Sequence, residues 1–332
     1  MSVTPAVERT SLPTPAPLPA AVLEDLARVE ERLAAELTSR EPRLEEVARH
    51  LVGAGGKRVR PTVVSLVFHA TAGSAARRED AVEAAVALEL IHSATLLHDD
   101  IIDGGDTRRG KPSALATFGL GDTLVGGDFL FCRAFALCAR FEAQVVRWAA
   151  EACVSLTEGE MLQGRLRRAP RVTEADYLEI IHRKTASLFA TGARTAAHLA
   201  GADPAVVEAM SACGQHIGCA FQMADDLLDV LPASVTGKPR GIDLRDGNPS
   251  LPIVLTLARD PELRPLWERP DPSAADVEAG LARIRRGGAL DEVARRARDH
   301  LDAALGEVLR LPETPYREAL LGLAERLVDR HA

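Results

Sequence analysis

Two strongly apolar stretches of this chain end in the same cluster of carboxylates. The first, Leu90 to Arg109, reads LIHSATLLHDDIIDGGDTRR, and the second, Phe221 to Val230, reads FQMADDLLDV. Each contains Asp-Asp-x-x-Asp: Asp99, Asp100 and Asp103 in one, Asp225, Asp226 and Asp229 in the other. Residues four apart share a helix face, so Asp99 and Asp103 sit on adjacent turns. Like charges placed this way repel by roughly 0.2–0.5 kcal/mol in water, and more once desolvated. A hard divalent cation turns that repulsion into a binding site. Oxygen-only donors in a cleft, with a substrate phosphate completing the shell, suit Mg2+. A single such cluster reads equally well as the solvated end of a helix. Two of them, each followed by a loop rich in glycine and basic residues, do not, and any fold of this chain must end two apolar helices in carboxylates.

The rest of the composition is consistent with a helical protein. At 332 residues the chain exceeds the usual single-domain length, although a large all-helical enzyme can share one core. Hydrophobic residues make up 46% and aromatics only 4%, with Ala, Leu, Glu and Arg dominant and no sustained period-two alternation. A formal net charge of -8 argues against nucleic acid as a partner and leaves the local Arg and Lys clusters for a small anionic ligand. Cys132, Cys138, Cys153, Cys213 and Cys219 lack metal-type spacing and read as buried apolar residues of a reducing compartment. No apolar run is judged long and uninterrupted enough to span a bilayer, and the N-terminus has no secretory hydrophobic core. The expected location is the cytoplasm.

Taken in order, residues 1–19 carry five prolines without periodicity and read as a disordered tail, leaving 20–332 as one helical domain. Ala20 to Leu37 is amphipathic, for packing or subunit contact. A short helix opened by Pro42 ends at Gly53-Ala54-Gly55-Gly56, and Lys57, Arg58 and Arg60 follow. Cations beside glycines can cradle a diphosphate, although a solvated basic turn reads the same. Glu79 to Asp103 is a long apolar helix with His92 two turns below Asp99, a place where histidine is ordinarily a core residue. Arg108 and Arg109 are paired guanidiniums suited to bidentate phosphate binding. Phe118 to Phe141 and Glu142 to Gln163 are two further helices. In them Gly126-Gly127 reads as close packing, and Glu158, Glu160 and Gln163 as a polar stripe near the cleft. Thr173 with Asp176 caps the next helix, which carries His182, Arg183, Lys184 and Thr185. Asp203-Pro204 opens the helix of the second cluster, where Gln222 should point the same way as Asp225. Pro232 to Pro252, with Lys238, Arg240, Asp243 and Arg245, reads as a mobile cover.

With GGKRVRP at Gly55 to Pro61, the paired motifs resemble the trans-isoprenyl diphosphate synthases (polyprenyl synthetases) over about Leu44 to Pro252. The long-chain members are the most similar. The resemblance implies an all-α, single-domain bundle around a central cleft, with the two aspartate motifs facing across its mouth, and a homodimer. It implies head-to-tail condensation of isopentenyl diphosphate with an allylic diphosphate, with Mg2+ at Asp99, Asp100, Asp103, Asp225, Asp226 and Asp229. By the same resemblance Lys57, Arg60, His92 and Arg109 hold isopentenyl diphosphate. Arg108 and Lys184 face the allylic diphosphate, Thr185 touches substrate, and Gln222 and Lys238 are further candidates. Asp99, Asp103, Asp225 and Lys184 are the expected catalytic residues. One stretch departs from the pattern. Where the family usually has Gly-Lys-x-Thr-Leu-Pro, this chain has Gly247-Asn248-Pro249-Ser250-Leu251-Pro252. A phosphate-facing cation is thereby lost, so either activity falls or Lys238 and Arg240 compensate.

Product length rests on the side chains one turn below Asp99. Short-chain members commonly place a bulky aromatic there, whereas Ala94 and Thr95 are small and leave a passage open towards Ile91, Leu88, Phe131 or Phe135. The expected product is longer than geranylgeranyl, with a geranylgeranyl or farnesyl diphosphate synthase as the alternative, and Ala94→Phe should shorten it. A terpene cyclase or head-to-head synthase has no need of the isopentenyl site that GGKRVRP and Arg108-Arg109 suggest. A non-catalytic subunit of a heteromeric synthase would have degraded motifs, and only Asn248 points that way.

Overall fold

The computed structural model describes residues 17–71, 77–108, 110–231 and 240–328. Most of the expected tail, Arg109, Lys238 and much of the expected cover lie outside the described residues. The chain is all-α, and the strands among the described residues are the two-residue pair Thr107–Arg108 (β1) and Lys111–Pro112 (β2).

At the centre lies α4 (Arg78–Ile102), which is buried on nearly every side from Ala81 to Ala94. A helix apolar all round belongs inside a bundle, and α4 packs against α3 (Val59–Ala70), α5 (Ala114–Cys138) and α8 (Ser187–Leu199). α1 (Ala20–Glu36) also lies against α4, and α2 (Pro42–Val52) lies mainly against α5. On the other side of the cleft α9 (Pro204–Val230) packs against α8. The chain between them is α6 (Ala143–Leu166), α7 (Glu174–Ile181) and one π-helical turn, His182–Ala186. After α9 come the short α10 (Ile242–Asp246), α11 (Leu251–Arg259) and α12 (Arg264–Trp267), then α13 (Ala274–Arg286), α14 (Ala289–Val308) and α15 (Pro315–Val328).

Local chemistry fixes the boundaries. Thr173 and Asp176 form the expected capping box of α7, and Ser113 caps α5 by accepting from the Ala116 amide at 3.0 Å. Inside α5, Gly119 takes φ 80° and kinks the helix, a backbone that a side chain would strain. The expected close packing at Gly126-Gly127 is present. A methyl group on Gly126 would lie 2.5 Å from the Val47 side chain, and one on Gly127 would lie 2.2 Å from the His98 ring.

The membrane reading needs a correction, because α4 and α5 are both long and apolar enough to cross a bilayer by length and composition. For α4 the reason is its place in the core. α5 instead leaves most of its apolar surface uncovered, with Leu120, Leu124, Val125 and Phe135 exposed.

Candidate active site

The carboxylate ends of α4 and α9 lie on opposite sides of a cleft formed by two adjoining cavities. One, of about 500 Å3, is bordered by Lys57, Arg60, Glu89, His92, Arg108, Phe221 and Asp225. The other, of about 280 Å3, shares Arg60, His92, Arg108, Phe221 and Asp225 and adds Thr95, Leu96, Asp99, Leu156, Lys184, Thr185 and Gln222. The structure thus gathers most of the residues singled out from the sequence, grouped by cavity.

The basic cavity is built by the turn between α2 and α3. Arg58 takes a left-handed backbone, φ 46°, and its side chain pairs with Glu30 at 2.5 Å and Glu89 at 3.0 Å. Lys57, Arg58 and Arg60 all border the cavity, Arg58 with its charge already paired. The Arg60 guanidinium stacks 4.6 Å over the Phe189 ring, and burial pushes its pKa down to about 10. A guanidinium with that pKa is still charged at neutral pH, while its poor hydration favours an anion.

Lys184 is the hub of the second cavity. It is carried by the π turn, and such turns recur at functional sites. Its ammonium donates to Gln163 at 2.8 Å, pairs closely with Glu160 and lies 3.7 Å from Asp99. Burial opposes its charge, but Asp99 and Glu160 outweigh that and raise its pKa. Burial lifts the pKa of Asp99 to about 6, with Glu160 and Asp103 adding and Lys184 and Arg108 opposing. Of the polar stripe on α6, Glu158 pairs with Arg183 at 2.9 Å, and Glu160 and Gln163 hold Lys184. Beside it the Thr185 hydroxyl donates to Gln222 at 2.9 Å, and Gln222 donates to Asp226 at 3.0 Å.

The six aspartates have different surroundings. Of the six, Asp99 and Asp225 border the cavities, and Asp103, at the end of α4, is ion-paired to Arg167. Asp100 is only 2% exposed and accepts from Arg108 at 2.6 Å, so it orients a guanidinium from behind. Asp226 is buried, accepts from Gln222 and from the Leu251 amide at 3.1 Å, and burial raises its pKa to about 7. Asp229 accepts the amides of Ile242 and Asp243, both at 3.0 Å, and so anchors the start of α10. Burial and the neighbouring Asp229 and Asp226 hold the Asp243 carboxyl well above the usual range. No three acidic, histidine or cysteine side chains among the described residues converge closely enough to hold a metal unaided. Oxygens of a bound ligand would have to complete the shell.

Sequence reasoning missed Arg167, the first residue after α6. It donates to Asn248 Oδ1 at 2.9 Å and pairs with Asp103. Arg240, one of the two residues expected to compensate for Asn248, pairs instead with Glu278 at 2.7 Å.

A cleft with a basic cavity, an aspartate-rich cavity and two Asp-Asp-x-x-Asp helix ends matches known proteins closely. The polyprenyl synthetase family model matches residues 41–283. The chain belongs to this family. Octaprenyl diphosphate synthase of Escherichia coli (strain K12) is 35% identical over 314 residues, covering 92% of this chain and 96% of that protein. Geranylgeranyl diphosphate synthase of Methanosarcina mazei is 34% identical over 88% of this chain and 91% of its own length. Among solved structures, a polyprenyl synthase from Caulobacter crescentus CB15, complexed with calcium and isoprenyl diphosphate, superposes with a TM-score of 0.88. It has 36% identity and covers 94% of this chain and 96% of its own. This chain is accordingly a trans-prenyltransferase of the diphosphate synthase class, with that class's all-α fold.

Proposed function

We propose that the enzyme condenses isopentenyl diphosphate with an allylic diphosphate, head to tail, to make a trans-polyprenyl diphosphate longer than geranylgeranyl. The observation that carries the reaction is the pair of adjoining cavities that share Arg60, His92, Arg108 and Asp225, with Lys57 bordering only the first and Asp99 and Lys184 only the second. Lys57, Arg60 and His92 border the first and suit isopentenyl diphosphate, and the Arg109 expected beside them lies outside the described residues. Asp99, Arg108, Lys184, Thr185 and Gln222 border the second and suit the allylic diphosphate. Mg2+ at Asp99, Asp103 and Asp225 would neutralise the charge that builds on the departing diphosphate. Arg108, held by Asp100, and Lys184, held by Glu160 and Gln163, add fixed positive charge at that end. Leu96, Leu156 and Phe221 give the allylic cation an apolar wall that excludes water. Phe221 lies in both cavities, where the double bond of isopentenyl diphosphate would attack. The released diphosphate takes the proton. The test is one incubation of purified protein with Mg2+, labelled isopentenyl diphosphate and farnesyl diphosphate, with extracted products sized by chromatography. A discrete long-chain product is expected. Geranylgeranyl alone would keep the chemistry and end the length reading, and no elongation from any primer would end both.

Product length follows from the wall below Asp99. Thr95 and Leu96 border the second cavity, and no aromatic stands on that turn of α4. Ala94 has no exposed surface, so its neighbour Thr95 is the more direct place for a floor. Thr95→Phe should shorten the chromatographed product by one or more isoprene units. Ala94→Phe should shorten it too, at an overpacking cost of about 1–3 kcal/mol. An unchanged product from both would mean that the growing chain leaves by another route.

The same reading includes a cytoplasmic homodimer. Its support is the uncovered face of α5, where Leu120, Leu124, Val125 and Phe135 are exposed, with Val154 and Met161 on the neighbouring α6. Apolar patches of this kind mark interfaces, and a second copy would bury the same stripe by two-fold symmetry. Sedimentation should give twice the chain's 35.5 kDa, and Leu124→Arg with Val125→Arg should give the monomer. A monomeric parent protein would overturn the assignment.

A further inference from the structure

The cleft mouth carries a cation that neither the sequence nor the family match assigns. Arg167 follows the last turn of α6, and its guanidinium bridges two elements far apart in the chain. One side pairs with Asp103, the last carboxylate of the first cluster, and Nε donates to Asn248 Oδ1 at 2.9 Å. The next residue fixes the direction in which Arg167 leaves the helix. Arg168 takes a left-handed backbone, φ 53°, rare for a residue with a side chain. Its amide donates to the Gly247 carbonyl at 3.0 Å, and its guanidinium donates to the carbonyls of Trp267, at 3.1 Å, and Arg245. A methyl on Gly247 would lie 2.3 Å from the Arg168 side chain, so the two segments interlock. Arg168 therefore staples the 245–248 segment to the end of α6, and Arg167 is delivered across the mouth as a consequence.

We propose that Arg167 is the diphosphate-facing cation at the cleft mouth, aimed by Asn248 and held by Asp103 until metal arrives. This rests on the prenyl-transfer reading of the site. The guanidinium pairs with Asp103 Oδ1, so a divalent cation on that carboxylate would compete with it. Were a metal to hold that carboxylate, Arg167 would keep Asn248 Oδ1 and the Ile102 carbonyl as acceptors and lose its counter-charge. A diphosphate held at that carboxylate cluster would offer a new anion, and a guanidinium forms charge-assisted hydrogen bonds to phosphate oxygens. Asn248 is suited to aiming because its amide oxygen accepts from the arginine without adding a competing charge. Its own amide donates to the Asp243 carbonyl at 2.8 Å, which fixes it to α10.

Two effects of opposite sign follow, and a merely structural role would not produce them. In Arg167→Gln, Mn2+ without diphosphate, read from the free-ion electron paramagnetic resonance signal, should bind more tightly, by about threefold to tenfold. Inorganic diphosphate in saturating Mg2+, measured by calorimetry, should bind about tenfold more weakly, the scale of one charge-assisted hydrogen bond. In steady state KM for the allylic substrate should rise while KM for isopentenyl diphosphate holds. Asn248→Ala leaves the Asp103 pair in place, so it should weaken diphosphate and leave Mn2+ unchanged. Arg167→Lys should recover part of the diphosphate affinity. Mn2+ and diphosphate moving in the same direction in Arg167→Gln, or neither moving, would overturn the proposal. A parent protein that binds no diphosphate in Mg2+ would instead overturn the functional reading beneath it.

Discussion

Asp99→Asn is expected to lower kcat by about a thousandfold or more, the loss seen when a main stabiliser of developing negative charge is removed. Asp100→Asn, one residue away, is expected to cost only about tenfold in kcat/KM, on the scale of one weakened charge-assisted hydrogen bond. Asp99 borders the second cavity, 3.7 Å from the Lys184 ammonium, so a neutral amide there leaves both a metal and that ammonium short of an anion. Asp100 instead points into the protein and accepts from Arg108 at 2.6 Å. An asparagine oxygen still accepts that bond, so Arg108 is held less firmly while the metal carboxylates stay in place. Turnover measured across a Mg2+ titration separates the two. Asp99→Asn should need far more Mg2+ to reach a much lower plateau, and Asp100→Asn should keep the parent's Mg2+ dependence. Equal losses with equal shifts in Mg2+ dependence would put Asp100 at the metal and overturn the division of roles.

That division marks where the sequence stops being legible. Helical spacing and composition supply α4 and α9, their carboxylate ends and the glycines of α5, because these depend on local periodicity and on side-chain size. The roles of neighbouring aspartates depend on direction around the helix and on partners outside it. Asp100 is turned inward by Arg108, on β1, and Asp226 by the amide of Leu251. Neither partner is visible in the spacing of Asp-Asp-x-x-Asp. Asn248 could be recognised as a missing cation, but its replacement comes from Arg167, in a run of arginines with no distinguishing pattern. Likewise Lys184 and Thr185 stand out only by resemblance, since the π turn that presents them has no local signature. Tertiary contact holds that turn, and the contact depends on two glycines from different helices.

Gly218→Val is expected to destabilise the fold by about 3 kcal/mol or more, because the contact is with backbone that has nowhere to move. A methyl on Gly218 would lie 2.5 Å from the Ala186 Cα and 2.8 Å from its Cβ, so α9 approaches the π turn at its own main chain. From the other side a methyl on Gly159 would lie 2.6 Å from the Lys184 amide nitrogen and 2.9 Å from the Arg183 Cβ. The π turn is therefore clamped between α6 and α9, and the two sides of the clamp should fail differently. Gly159→Ala gains about 1 kcal/mol of helix propensity, which offsets part of the strain in stability. No such offset applies to position, because the strain falls on the residue that carries the ammonium beside Asp99. A displacement near 1 Å at a reacting centre costs about a hundredfold in rate. Gly159→Ala should accordingly lose kcat along with a smaller fall in its denaturation midpoint than Gly218→Val, which should shift the midpoint first. Full turnover in Gly159→Ala would show that Lys184 is placed by Glu160 and Gln163 alone. An unshifted midpoint in Gly218→Val would show that α9 can retreat from the turn without cost, which the close approach at Ala186 argues against.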